Sequence, residues 1–147
     1  MPIEVSLDIT SFMMYTASVN SNWHIVYYET IKGGCPVREF IDAQKERDQA
    51  KIFAWLSLLE VQGPILPRPY ADLLIDGIHE LRIKLSGDQV RILYFFCFRD
   101  FIALTHAFVK QTSEVPRSEI KKAKTCRADF LSRIDEKELR EAIDEKL

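Results

Sequence analysis

The sequence predicts an α+β domain: a small antiparallel sheet (RelE-like in the sense reached below), two N-terminal helices packed on one face, and C-terminal helices. Three observations carry that expectation. An aromatic and β-branched run, W-H-I-V-Y-Y, stands early, at 23–28. Two segments of helical period follow it. Three apolar runs then crowd into 78–109, with turn residues between them. The 147 residues suffice for one domain with its own core.

Residues 1–22 have mixed character and read as an N-terminal extension, with one short strand at about 3–7. The run at 23–28 is the first strand, because such side chains suit a pleated, half-buried surface. Lys32-Gly33-Gly34 is a loop, and Pro36 fits a first helical turn, where its missing N–H is not needed. Val37, Phe40 and Ile41 recur at helical spacing. A longer helix at about 45–62 buries Ile52, Trp55, Leu56 and Leu59. Gly63-Pro64 stops it, and Pro67 and Pro69 keep the next stretch extended or looped. Strands follow at about 78–85, 89–97 and 101–109, with Gly87-Asp88 and Arg99-Asp100 as the expected turns. Pro116 opens a helix to about 133. Asp135, with Glu138 three residues on, resembles a capping box and starts a short acidic helix. The expected division is an extension at 1–22, a domain at 23–133 and the acidic helix at 134–147.

Composition excludes several classes. With 47% hydrophobic and 29% charged residues, the chain can bury a core and is not disordered. The longest apolar run, 92–98, is too short to cross a bilayer, so no membrane role is expected. Glu4 and Asp8 stand where a secretory signal would be basic, and the first basic residue is Lys32. Cys35, Cys97 and Cys126 are odd in number and widely spaced, which predicts free thiols in a reducing, cytoplasmic setting. The histidine and cysteine spacings match no zinc pattern, and no Gly-rich phosphate loop is present, so neither metal nor cofactor is expected. Net charge is −2, yet residues 68–133 carry 12 bases against 8 acids. A local anion site is therefore compatible with an acidic whole.

Strand parity locates that site. Side chains alternate between faces, and directly opposed residues share one. With the expected turns, Lys84 lies opposite Arg91, Arg82 opposite Leu93, and Leu93 opposite His106. One face then collects Glu80, Arg82, Lys84, Arg91, His106 and Lys110, with Leu93, Phe95 and Leu104 among them. The other collects Leu81, Ile83, Leu85, Val90, Ile92, Tyr94, Phe96, Phe101, Ala103, Thr105 and Val109, a core face for helices to cover. Glu80 is the only acid on the first face. Uncompensated, such a cluster suits an anionic partner; the plain alternative is a solvated basic face.

These residues also carry a resemblance. Y-Y-E-T at 27–30, C-P-V-R-E-F at 35–40 and R-P-Y at 68–70 come first. D-G-I-H-E-L-R-I-K at 76–84, Q-V-R-I-L-Y-F-F at 89–96, T-H-A-F-V-K at 105–110 and P-R-S-E-I-K-K-A at 116–123 follow. In this order and spacing they resemble the RelE/HigB-type toxins of bacterial toxin–antitoxin pairs, particularly their phage-derived branch. The resemblance implies a toxin that cleaves messenger RNA on the ribosome, a RelE-like sheet flanked by helices, and restraint by a cognate antitoxin of helix-turn-helix type. The chain departs from the family in its low net charge, in Lys110-Gln111 where two lysines are common, and in the two terminal segments.

Metal-free RNA cleavage needs a base for the 2′-OH, positive charge on the pentavalent phosphate and an acid for the leaving oxygen. On this reading His106 is acid or base, Arg82 and Arg91 are bidentate clamps, and Lys84 and Lys110 stabilise charge or donate protons. Two other functions stay open on the same fold: a gyrase poison resembling ParE that cuts nothing, and a non-toxic partner-binding module. The acidic helix is expected to dock on a basic partner or to lie over the chain's own basic face.

Overall fold

The computed structural model describes residues 23–145, so the expected extension and its strand at about 3–7 lie outside the described residues. The elements in order are β1 (His24–Tyr27), α1 (Pro36–Asp42), α2 (Glu46–Gln62), a 3-10 turn (Gly63–Ile65), β2 (Ala71–Ile75), β3 (Ile78–Leu85), β4 (Asp88–Cys97), β5 (Phe101–Val109), α3 (Arg117–Arg133) and α4 (Glu136–Glu145). The sheet order is β1-β5-β4-β3-β2. All pairings are antiparallel except β1 with β5, which run parallel. The α+β expectation holds.

Each sheet face has its own core. Val37 and Ile41 of α1 and Ile52, Leu56 and Leu59 of α2 pack on Leu81, Ile83, Ile92 and Tyr94. Ala123, Cys126 and Phe130 of α3 pack on Ile78, Leu93 and Phe95 across the opposite face. The apolar residues noted among the cations are the seat of this second helical layer. Burying a side chain the size of Phe130 or Leu93 contributes about 1.5–3 kcal/mol, which holds α3 on the basic face.

Strand β2 departs from the expectation that Pro67 and Pro69 keep this stretch extended or looped. Its signal was Asp76-Gly77 between apolar residues. Both residues have positive φ, 53° and 79°, and Ile75 pairs with Ile78, the geometry of a tight two-residue turn. The prolines end before the strand begins, so they do not block its ladder.

The β3–β4 register is a correction. The turn is Ser86-Gly87, with φ of 36° and 95°, and not Gly87-Asp88. Arg82 therefore faces Arg91, Lys84 faces Gln89 and Glu80 faces Leu93. The displacement is two residues, so every face assignment on β3 and β4 survives. The Ser86 hydroxyl reaches both carboxylate oxygens of Asp48 on α2, at 3.0 and 2.8 Å, and anchors the turn there.

The β4–β5 connection is a second correction. Cys97 pairs with Phe101, so the loop has three residues, Phe98-Arg99-Asp100, with positive φ at Phe98 (50°) and Arg99 (72°). One extra loop residue shifts the register by one. A bulge at Thr105 then shifts it back, because Tyr94 faces Leu104 but Leu93 faces His106. Leu104 consequently lies in the α1–α2 core and Ala103 in the α3 core, the reverse of the expected faces. Beyond the bulge, His106 and Phe108 return to the expected pairing with Leu93 and Arg91. The Thr105 hydroxyl, fully buried, lies 3.2 Å from the Leu93 carbonyl and 3.0 Å from His106 Nδ1.

Helix α4 starts as expected at Asp135, whose Oδ1 accepts from the Lys137 N–H at 2.8 Å. Arg140 donates to the Phe98 carbonyl at 2.8 Å and to Asp100 Oδ1 at 2.7 Å. The acidic helix thus clamps the β4–β5 loop and does not lie over the basic residues near Lys110, at the other end of the hairpin. Thr105→Val is expected to lower stability by about 1–3 kcal/mol, by leaving a buried acceptor unmet; urea denaturation checks this.

Candidate functional site

Between the β2–β3–β4 surface and the N-terminal half of α3 lies a cleft of about 830 Å³. Seven cationic residues line it: Arg68, Arg82, Arg91, Lys110, Arg117, Lys121 and Lys124. Asp72, Glu80 and Glu114 are its acids. Three of the five sequence-predicted site residues, Arg82, Arg91 and Lys110, meet here. Lys84 and His106 do not line it.

Glu80 organises the floor. It is 5% exposed and Arg91 is 2% exposed. Glu80 Oε1 stands 2.9 Å from Arg91 Nε and Oε2 stands 3.9 Å from Arg82 Nη1. The Arg91 N–H points off the Glu80 oxygen, so charge attraction and not a linear hydrogen bond joins them. Arg91 Nη1 also donates to the Val90 carbonyl at 3.1 Å. Burial pulls the Arg91 guanidinium below the ordinary arginine range, and Glu80 opposes that shift. Arg91 is therefore fixed, while Arg82, a third exposed, is free to turn toward a ligand.

Lys110 ends β5. Its Nζ donates to the carbonyls of Thr112 at 2.8 Å and Ser113 at 3.1 Å, which spends two of its three N–H groups. Arg117, Lys121 and Lys124 stand four and three residues apart on α3 and so share one stripe. Lys124 is paired with Asp76 of the β2–β3 turn, and Arg127 donates to the Asp76 carbonyl at 2.6 Å. Arg68, on the rim, donates through Nε to Asp72 at 3.0 Å.

His106 is 1% exposed, beneath the first turn of α3. Its Nε2 lies 2.9 Å from Glu119 Oε1, and its ring stacks on Phe108. Burial drives its pKa below the ordinary value of 6.5, Glu119 resists this and Lys122 adds to it. In the neutral ring Nε2–H donates to Glu119, and the single Thr105 O–H is shared between the Leu93 carbonyl and Nδ1. Lys84 is exposed near the hairpin end, where its carbonyl accepts from Lys51 Nζ at 2.6 Å. Among the described residues no three His, Cys, Asp or Glu side chains gather as metal ligands. No described helix is long and apolar enough to cross a membrane.

The sequence reading missed the helical wall of the cleft. Its signal was present: residues 111–133 hold six bases against three acids, and three of those bases fall on one stripe. What parity could not supply was the direction in which that helix returns.

Arg91→Ala is expected to cost about 3–5 kcal/mol, because it strands a buried carboxylate. Arg82→Ala should cost less than about 1 kcal/mol, and chemical denaturation of both variants tests the contrast. The native fold also holds His79 below its ordinary pKa through burial. The unfolded chain therefore binds more protons than the folded one once the pH falls below about 6.5. Stability should be full above that pH and decline from 6.5 toward the lower native values, and His106→Gln should flatten the decline. Urea midpoints between pH 8 and 5 measure it, above the window where the Asp72, Asp76, Asp100 and Asp129 carboxyls, all lowered by basic partners, begin to protonate.

Comparison with known families gives one match: the model described as phage derived protein Gp49-like (DUF891) covers residues 39–128, well over half the chain. The matched segment runs from α1 into α3 and includes every residue that lines the cleft. Comparison with curated proteins finds no significant match. The chain belongs to the Gp49-like family of phage-derived proteins, a family of the RelE/HigB toxin type.

Proposed function

We propose that this protein is the toxin of a toxin–antitoxin pair and that it cuts messenger RNA on the ribosome, in the cytoplasm, without a metal. The observation that carries this reading is the cleft, where Arg82 of β3, Arg91 of β4 and Lys110 just after β5 face three more cations from α3. Like charges held this close repel unless an anion completes the site. An RNA backbone is such an anion, and its 2′-OH is the nucleophile that cleavage without a metal requires.

The accessible groups take distinct parts. Arg82 offers a guanidinium fork to the phosphate oxygens as charge grows on them. Arg91, locked to Glu80, sets the positive potential of the floor. Lys110 presents its remaining N–H as a point charge. Lys84 contributes only to the long-range field. His106 is the natural acid or base, and it reaches a substrate when the first turn of α3 lifts Glu119 away. That requirement fits a toxin that is idle alone and active once seated on the ribosome. The partner is a cognate antitoxin with a helix-turn-helix part.

A second reading draws on two observations: Arg91 and His106 each already hold a carboxylate. On that reading the protein binds and cuts nothing, as a ParE-like gyrase poison or a non-toxic module. The deciding experiment induces the chain without an antitoxin and maps messenger RNA 5′ ends. Discrete new ends are expected, falling about 10²-fold in Arg82→Ala and Lys110→Ala. Arrest with intact transcripts, unchanged in both variants, favours the gyrase-type reading, and growth without arrest overturns the toxin reading.

A further inference from the structure

A second hollow, of about 230 Å³, lies on the α1–α2 side of the sheet, beside the edge strand β2. Arg68 and Asp72 line both this hollow and the basic cleft. The two therefore meet over the sheet edge, with the Arg68–Asp72 pair astride it. The hollow is smaller than the ~300 Å³ at which pockets for drug-sized ligands begin, and it suits a single flat ring system.

Its lining is unusual in one respect. Tyr94 is 1% exposed and lines the hollow, and its hydroxyl has no hydrogen-bond partner among the described residues. The hydroxyl is not among the sealed unpartnered polar atoms, so it opens to solvent and is available to a ligand. The His79 ring lies nearly parallel to Tyr94, with centroids 5.3 Å apart and planes at 19°. Neither His79 nitrogen has a hydrogen-bond partner among the described residues, and His79 also lines the hollow. Pro67 and Leu73 supply apolar sides. Unspent donors and acceptors beside apolar sides are what the edge of a splayed RNA base requires.

Resting on the reading of the cleft as an RNA site, we propose that this hollow takes one nucleobase of the strand whose phosphate lies in the cleft, its edge met by the Tyr94 hydroxyl and the His79 imidazole. The cleft by itself reads only phosphate, which carries no sequence information. Base preference at the cut then arises on the far side of β2.

The test is an NMR titration of the full chain with the four nucleoside 5′-monophosphates, with ribose 5-phosphate, and with the free nucleosides. The reporters are the His79 ring C–H signals and the Arg82 Nε–H signal. Ribose 5-phosphate should move Arg82 alone, and at least one nucleoside monophosphate should move both. Tyr94→Phe, which removes an unpartnered hydroxyl and should keep the melting temperature, is expected to weaken that nucleotide about fivefold. The same variant should leave ribose 5-phosphate binding unchanged. Nucleotides that move only Arg82, or a Tyr94→Phe variant that binds them as well as the wild type, overturn the base site. Free nucleosides that move His79 while no phosphate moves Arg82 overturn the cleft reading instead, and with it the RNA strand as the source of the base.

Discussion

The structure depends on a compensation within strand β5. Its hairpin with β4 has a three-residue loop, which displaces the register by one and would send every later side chain to the wrong face. The unpaired Thr105 restores it. Before the bulge, Ile102 and Leu104 feed the core under α1 and α2, and Ala103 feeds the core under α3. After it, His106 and Phe108 stand beside Leu93 and Arg91. Both hydrophobic layers and the position of the buried histidine follow from that one extra residue. The Thr105 hydroxyl contacts both the Leu93 carbonyl and His106 Nδ1, so the bulge and the seat of the buried histidine are one feature.

The second organising element is the pairing of buried charge with carboxylate. Arg91 on a central strand is tolerable because Glu80 lies across from its neighbour on β3, and His106 is tolerable because Glu119 descends from α3. Such pairs add little net stability, since desolvation offsets attraction, but removing one partner leaves an expensive orphan. Their effect is to fix geometry. Arg91 and His106 are buried against carboxylates, and the cations nearer solvent are Arg82, Lys110 with one N–H unspent, and Arg117 and Lys121 of α3. The site is accordingly a gap between two layers and not an open sheet face.

Much was legible in the residues. Alternation placed Arg82, Arg91 and Lys110 on one face, and a two-residue error in the first turn left that intact because strand faces repeat every second residue. Tyr94 was placed correctly on the opposite face. Asp76-Gly77 announced a hairpin that the nearby prolines obscured. The bulge was not legible, since nothing in F-I-A-L-T-H marks where a ladder skips a residue. Nor was the carboxylate partner of His106, which comes from 13 residues further along on a different element.

By itself the sequence determined the class of fold, the boundaries of the expected helices and strands (β2 apart) to within a residue or two, and which side chains of β3 and β4 share a face, because these follow from local period and turn chemistry. Only the tertiary structure decided that α3 returns across the basic face, that its stripe of cations walls the cleft, and that His106 is sealed beneath it. The reason is that helix docking is selected by the fit of Ala123, Cys126 and Phe130 onto Leu93 and Phe95. That fit is a property of two surfaces brought together, and no single stretch of chain contains it.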